Sequence, residues 1–447
     1  MAHNETHTIE IQKLVEKGFG LGFIHSKPVF VAKTVPQDIV EIRIYKKLRK
    51  RLFGKVINTI TPSPLRGTKQ CEHFPQCGGC HYQDISYADQ LNLKLSVLRD
   101  TIEHHNAAIG SKLAAIVGCD ITQYHRNKME FAFGYNNNQL ICGLKEQGTF
   151  DNIIPITDCK LLAPLSNDIV AKTAEFFQLN PLPVWDSHQE TGCLSHLMLR
   201  HSKQNDTYVV SLIAATKDPL FLNYATTIMQ QFPAIIGVNH LFFTQKKGQP
   251  STVTCINLKG QSVLQESING LRFNISPQAF FQTNSYQVGV LYDIVKQCCD
   301  LKPTDTLLDL YCGTGTIGIY VCHKQGQLIG IEEVPQAIED AKKNAQLNNM
   351  TNTTFIAGRV KNILKFNTFN VDCVVIDPPR SGMVPKALQR VIDLRCKKIV
   401  YVSCNPITLL RDLDEFIKQG YHIDTFIPVD MFPHSYHLEC VVKLTLN

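Results

Sequence analysis

Apolar and polar positions change their rhythm three times along this chain. Residues 7 to about 60 alternate in short β-like runs: Thr8-Ile9-Glu10-Ile11, Val29-Phe30-Val31, Val40-Glu41-Ile42-Arg43-Ile44 and Val56-Ile57-Asn58-Thr59-Ile60. Gly18-Phe19-Gly20-Leu21-Gly22 reads as a glycine-rich turn among them. Strands this short and closely spaced predict a small β-barrel, with Thr61-Pro62-Ser63-Pro64 as the linker that leaves it. From Tyr87 to His105 the period becomes helical, through Leu91, Leu95, Leu98 and Ile102. Between about 116 and 270 the pattern is mixed, with strands near Met129–Phe133 and Tyr208–Leu212 and no readable topology. From Thr306 it regularises into strand, helix, strand. The strands are Thr306–Leu310, Gln327–Ile331, Thr354–Ile356, Asp372–Ile376 and Lys398–Val402, and Val334 to Leu347 is one of the intervening helices. This alternation predicts a parallel sheet covered by helices on both faces. Cys440-Val441-Val442-Lys443-Leu444 reads as an added edge strand.

The expected architecture is therefore α/β in three parts. Residues 1–62 form the barrel, 63–270 a mixed α+β central domain, and 271–447 a Rossmann-like domain. The length of 447 residues agrees, being too great for one ordinary core. With 44% apolar and 19% charged residues the chain is globular rather than disordered. No apolar run reaches the ~18 residues of a membrane span. Met1 to Glu10 is polar and lacks the apolar core of a secretory signal, which points to the cytoplasm. The 16 cysteines are then expected as reduced thiols.

The net charge of +6 matters less than where it lies. Lys46, Lys47, Arg49, Lys50 and Arg51 crowd into six positions between the last two barrel strands. Such a run serves either as a solvated face or as a strip that binds nucleic-acid phosphates.

Gly313-Thr314-Gly315-Thr316-Ile317-Gly318 follows a strand and fits the pattern by which backbone approaches a nucleotide-type ligand. Glu332 ends the next strand, where a carboxylate can accept from ribose hydroxyls. A dinucleotide site would look similar, but it gives no role to Asp377-Pro378-Pro379-Arg380 or to Cys404. The loop, opening on Asp309-Leu310-Tyr311-Cys312, resembles the first motif of S-adenosylmethionine-dependent methyltransferases. Asp-Pro-Pro after the fourth strand also occurs in methyltransferases of amino groups, which need no nucleophile because an amine carries its own lone pair.

A thiol at a strand end changes that reading. Ser403-Cys404-Asn405-Pro406 places Cys404 at the carboxyl end of a strand, where such sheets bind ligands. Carbon 5 of a uracil is a poor nucleophile until a thiolate adds at carbon 6. After methyl transfer a base must remove the proton from carbon 5 so that the thiolate can leave. The chemistry asks for one cysteine and one general base. Cys404 is the candidate nucleophile and Glu439, in His437-Leu438-Glu439-Cys440, the candidate base. An isolated cysteine there is more often a small core residue, but the motifs around it weigh against that.

These motifs, with Phe281-Gln282-Thr283-Asn284 and Asp430-Met431-Phe432-Pro433-His434, resemble the RNA uracil-5-methyltransferase family. The resemblance implies Cys404 as nucleophile and Glu439 as proton acceptor, with Gln282, Tyr311, Glu332 and Asp377 contacting S-adenosylmethionine. One departure is Gly358-Arg359-Val360-Lys361, where the family often carries an acidic residue, so no adenine contact is assigned there.

Five residues separate Cys71 from Cys77, and two separate Cys77 from Cys80. Zinc and an iron–sulfur cluster both want a fourth ligand, and spacing alone does not choose between them. Cys71…Cys77-Gly78-Gly79-Cys80…Gln83 is similar to the [4Fe–4S] motif of the family's 23S ribosomal RNA branch, and this resemblance implies Cys159 as the fourth ligand. The N-terminal barrel is similar to a TRAM domain, an RNA-binding barrel, except that Pro36 is followed by Gln37 where the family turn usually has glycine. The resemblance thus implies a monomeric methyltransferase of a uridine in 23S ribosomal RNA, with transfer RNA as the alternative substrate. A non-catalytic RNA-binding assembly protein would have no need of both Cys404 and Glu439.

Overall fold

In the first part of the chain, alternation turns Ile9, Ile11, Val29, Val31, Val40 and Ile42 to one inner face. Six strands curl around it: β1 (Thr6–Glu10), β2 (Lys13–Val15), β3 (Phe19–Ile24), β4 (Lys27–Ala32), β5 (Ile39–Leu48) and β6 (Arg51–Thr61), in the order β1-β5-β6-β4-β3-β2. The computed structural model describes residues 6–149, 151–244 and 252–446, so the first five residues of the polar N-terminal stretch lie outside the described residues.

Two local expectations are corrected here. Of the glycine-rich stretch only Gly18 lies in a turn, and Phe19 to Gly22 belong to strand β3. A Cβ at Gly20 would stand 2.1 Å from Thr34 Oγ1 and one at Gly22 2.7 Å from the Glu10 carbonyl, so the glycines mark close packing across the sheet. The basic cluster is the tip of a long hairpin rather than a separate connection. β5 runs on through Leu48, which pairs with Arg51, leaving only Arg49 and Lys50 in the turn. Gln37, where glycine was expected, has φ 71°, the left-handed conformation that glycine tolerates best.

Helix α1 (Tyr87–Gly110) follows, capped by Ser86, whose Oγ accepts from Asp89 N at 3.2 Å. Its Leu98, Ile102 and Ile109 pack into an apolar layer of the C-terminal sheet. The region whose topology was unreadable contains β7 (Lys128–Asn136), β8 (Gln139–Lys145), β9 (Ile153–Pro155), α2 (Leu165–Leu179), β10 (Leu194–Ser202), β11 (Thr207–Ala214), α3 (Leu220–Gln231), β12 (Ile235–Thr244) and β13 (Thr252–Gly260). Its strands form one sheet in the order β13-β12-β11-β10-β7-β8-β9. The hairpin β14 (Leu264–Ile268) and β15 (Leu271–Ile275) and helix α4 (Val288–Cys299) lead into the last part.

There β16 (Thr306–Leu310), α5 (Thr316–Val321), β17 (Gln327–Glu332), α6 (Pro335–Leu347), β18 (Thr353–Ala357), α7 (Val360–Phe366), β19 (Cys373–Ile376), α8 (Pro385–Asp393), β20 (Lys398–Ser403), α9 (Pro406–Lys418), β21 (Tyr421–Val429) and β22 (Glu439–Leu446) build a sheet ordered β18-β17-β16-β19-β20-β22-β21. The first five of these strands are parallel, as the alternation predicted. The expected edge strand is not at the edge. β22 runs antiparallel between β20 and β21, because Cys440, Val441, Val442 and Leu444 are all buried and an apolar run of that kind fills an interior position. Apolar layers cover both faces of this sheet. Among the described residues no helix is long and apolar enough to cross a membrane.

Candidate active site

The carboxyl ends of the parallel strands gather the chemistry. Cys404 sits on the tight turn between β20 and α9. Asn405 caps the helix by accepting from Ile407 N at 3.3 Å, and Pro406 occupies the first helical turn, where a missing N–H costs nothing. Asn405 Nδ2 also donates to the Arg380 carbonyl at 2.9 Å, which ties this turn to the one after β19. The registers fix the neighbours. Leu310 pairs with Ile376, Ile376 with Tyr401, and Ser403 with Cys440. Asp377, Cys404 and Glu439 therefore stand at the same end of three adjacent strands, β19, β20 and β22.

Their electrostatics are coupled. The Cys404 thiol is half-buried, and its pKa is pushed up to about 11, first by desolvation and then by the Glu439 and Asp377 carboxyls, while Arg380 pulls it down. Burial raises Asp377 to about 7. Glu439, 4% exposed, is held well above the usual carboxylate range by desolvation, with the Asp377 charge adding to it. In the free protein near neutral pH the thiol keeps its proton. A small pocket of about 130 Å³ opens at the thiol, lined by Arg380, Tyr436 and His437, by Lys94 of α1, and by Lys17 from the turn between β2 and β3. Burial lowers His437 to about 4, so it is neutral there.

The glycine loop lies on the neighbouring strand. Tyr311, Gly313 and Gly315 take φ of 63°, 52° and 77°, a left-handed path between β16 and α5. Glu332 holds the loop from β17, since its carboxylate accepts from Gly313 N at 3.2 Å and from Val334 N at 2.9 Å. Asp309 anchors the far side by accepting from Gly318 N at 2.9 Å, and desolvation raises it to about 8. Gly313 and Glu332 line a cleft of about 1360 Å³ that runs between the C-terminal sheet and the central strands. Gln282 is buried beside this region, and its carbonyl accepts from Asn127 Nδ2 at 2.8 Å. Arg359, at the departure from the family pattern, pairs with Glu333 at 2.7 Å on the surface.

The four cysteines converge elsewhere. Cys71, Cys77, Cys80 and Cys159 line one small cavity with Gln83, whose Nε2 lies 3.4 Å from Cys80 Sγ. Among the described residues no three His, Cys, Asp or Glu side chains form a site for a single ion. Burial raises Cys80 to about 12 and Cys159 to about 11. Two half-buried cations act the other way, Arg126 on Cys80 and Lys33 on Cys77. Arg126 feels Cys80 and Cys159, and its Nε has no hydrogen-bond partner. Lys33 faces Cys77, whose carbonyl accepts its Nζ at 2.5 Å. An orphaned guanidinium N–H beside four convergent thiols fits an anionic, thiolate-held centre. Neither cation was singled out in the sequence, where each is one more basic residue. Arg380 was quoted only as part of its motif.

Comparison with known proteins places these observations. The family model described as tRNA (Uracil-5-)-methyltransferase matches residues 256–447. An uncharacterised RNA methyltransferase of Caldanaerobacter subterraneus is 34% identical, the match covering 99% of each chain. One from Thermotoga maritima is 32% identical over 98% of each. The crystal structure of the Pyrococcus abyssi tRNA (uracil-54, C5)-methyltransferase in complex with S-adenosyl-L-homocysteine superposes with a TM-score of 0.76. It is 26% identical and covers 98% of this chain and 100% of its own.

Proposed function

We propose that this chain, which belongs to the RNA uracil-5-methyltransferase family, methylates carbon 5 of a uridine in 23S ribosomal RNA through a covalent cysteine–uracil intermediate. The family makes it an RNA methyltransferase that uses S-adenosylmethionine. The observation that carries the covalent mechanism is the placement of Asp377, Cys404 and Glu439 on three adjacent strand ends beside the glycine loop.

In this reading Gln282, Tyr311, Glu332 and Asp377 bind the cofactor, which supplies the methyl group. The target uridine leaves its stack and enters the pocket at Cys404. Cys404 Sγ gives up its proton to bulk water as the uridine enters, and the thiolate bonds to carbon 6, with Arg380 the cation on hand to favour the thiolate. Electron density moves to carbon 5, which takes the methyl group. Glu439 then accepts the carbon 5 proton, the ring π-bond re-forms, and the Sγ–carbon 6 bond breaks. Burial and the Asp377 charge both raise the proton affinity of Glu439, so its carboxylate form is a strong acceptor for this last step.

Cys71, Cys77, Cys80 and Cys159 are the residues that would hold a [4Fe–4S] cluster, and the half-buried Arg126 and Lys33 would offset its negative charge. The N-terminal sheet serves as a TRAM-type RNA-binding element. Its basic hairpin tip is interleaved with aromatics, Lys46 standing over Phe53 and Arg51 over Phe30. We take the protein to act as a cytoplasmic monomer.

Transfer RNA is the second reading. It is favoured by the full-length match to the P. abyssi enzyme, whose own substrate is a transfer-RNA uracil. Mapping 5-methyluridine in both RNA classes from cells lacking this protein separates the two. Loss from 23S ribosomal RNA supports the first reading. Loss confined to transfer RNA overturns it.

A further inference from the structure

The segment Asp430–Leu438 joins β21 to β22 and leads straight into Glu439. Its Tyr436, His437 and Leu438 also wall the pocket at Cys404. This loop is held from outside its own sheet. Lys94 Nζ of α1 donates to Asp430 Oδ1 at 2.7 Å and to the Phe432 carbonyl at 3.0 Å. Tyr87 donates to Asp430 Oδ2 at 2.9 Å and accepts from Cys119 N at 2.7 Å. Gln90 grips His434 twice: its Oε1 accepts from His434 N at 2.8 Å, and its Nε2 lies 3.3 Å from His434 Nδ1. The N–H groups of His81 and Tyr82, directly after Cys80, donate to the His434 carbonyl at 2.7 and 3.2 Å.

The Lys94 and Asp430 side chains are 1% and 0% exposed. A buried ion pair does little for stability that a well-packed apolar pair would not do. Its best use is to select one arrangement over its neighbours. Tyr87, Gln90 and Lys94 lie on successive turns of α1 and meet one loop, so they select the position of that loop.

We propose that Tyr87, Gln90 and Lys94 are positioning residues for the reaction, fixing the Asp430–His434 loop so that Glu439 meets the uracil held at Cys404. The inference rests on Glu439 being the proton acceptor. Because that step follows methyl transfer, a loosened loop slows release of the covalent product more than its formation. The cysteine segment shares this duty through His81 and Tyr82.

The test uses the full-length protein with its RNA substrate and S-adenosylmethionine. Tyr87→Phe removes one hydroxyl and keeps the ring, and Lys94→Met removes the charge. Both are compared with Glu439→Gln. The measurements are kcat, KM for RNA, cofactor affinity, and the fraction of protein bound covalently to RNA on a denaturing gel. Displacing a reacting group slightly costs about tenfold or more in rate, so kcat of each variant should fall by that much. The covalent fraction should rise, with cofactor affinity little changed and, for Tyr87→Phe, which lies outside the lining of the Cys404 pocket, KM for RNA little changed as well. If Lys94→Met does not fold, Tyr87→Phe decides. Wild-type turnover in Tyr87→Phe, or equal loss of adduct formation and release, overturns the positioning role while Glu439→Gln still stalls as an adduct. Normal turnover by Glu439→Gln itself instead removes the base assignment on which the proposal stands.

Discussion

Cys404 and the group Cys71, Cys77, Cys80 and Cys159 place one functional group in two opposed settings. Cys404 stands half-buried on a strand-to-helix turn, next to two carboxyls that raise its pKa further than burial alone does. The four others line a small cavity near the half-buried cations Lys33 and Arg126, which lower Cys77 and Cys80 respectively. A thiol among carboxyls keeps its proton until a substrate arrives. Thiols near cations have a partner for the negative charge they would carry as thiolate ligands. Burial is the first cause of the shift at Cys404, Cys80 and Cys159 alike, and what differs is the sign of the charge beside the sulfur.

The strongest way to break this comparison is to exchange the consequences of two alanine substitutions. Cys404→Ala should lose turnover by on the order of 10⁴-fold or more, as loss of a nucleophile does, while keeping its iron. Cys77→Ala should do the reverse at the metal. Anaerobically purified protein should carry about four irons per chain, and this variant should not. Stoichiometric zinc without iron in the unsubstituted protein contradicts the cluster. A smaller effect is expected from Arg126→Met. Residues just outside a metal's ligands typically tune affinity by ~10–100-fold, so this variant should lose iron to a chelator faster than the parent. Iron retention equal to the parent's would show that the orphaned guanidinium serves packing alone.

The catalytic side of the comparison can be sharpened by pH. The thiolate is the form that alkylates, and Cys404 is raised to about 11. Its labelling by iodoacetamide, followed at the Cys404 peptide by mass spectrometry, should therefore rise about tenfold per pH unit between roughly 7 and 9. A plateau in that range would mean that the thiol is already ionised and that the carboxyls do not govern it. The smallest effect lies far from either thiol. Gln37 holds a left-handed φ of 71°, and Gln37→Gly should raise stability by about 1 kcal/mol in urea unfolding, because the strain of a side chain there is removed. Equal or lower stability would show that the turn pays no such penalty.

The parts of the site that were legible in the sequence are those written in local turns. Asp377-Pro378-Pro379 and Ser403-Cys404-Asn405-Pro406 announce strand ends because proline and asparagine stop strands and start helices. The parallel strands from Thr306 onward were legible for a similar reason, since each apolar run is separated from the next by a helical period. Strand β22 was misplaced at an edge because a run such as Cys440–Leu444 does not say which two strands will flank it. Lys94 was invisible as a site residue. It lies between Leu91 and Leu95 like any polar position on a helix, and its partner Asp430 is 336 residues away. Arg126 was missed on the same ground, because only the fold brings it to the cysteines. The central sheet mixes a parallel β11–β12 pair with antiparallel neighbours, so neither strand alternation nor turn chemistry fixes its order.

Cys404 is expected to form a bond to the uracil ring and Glu439 to end it. The most direct measurement is mass spectrometry of the protein after reaction with S-adenosylmethionine and RNA carrying 5-fluorouridine, where carbon 5 holds no removable proton. The account expects a stable protein–RNA species whose modified peptide contains Cys404, and the same species from Glu439→Gln with ordinary uridine RNA. Absence of any covalent species, an adduct on another cysteine, or sustained methylation by Cys404→Ala would contradict it.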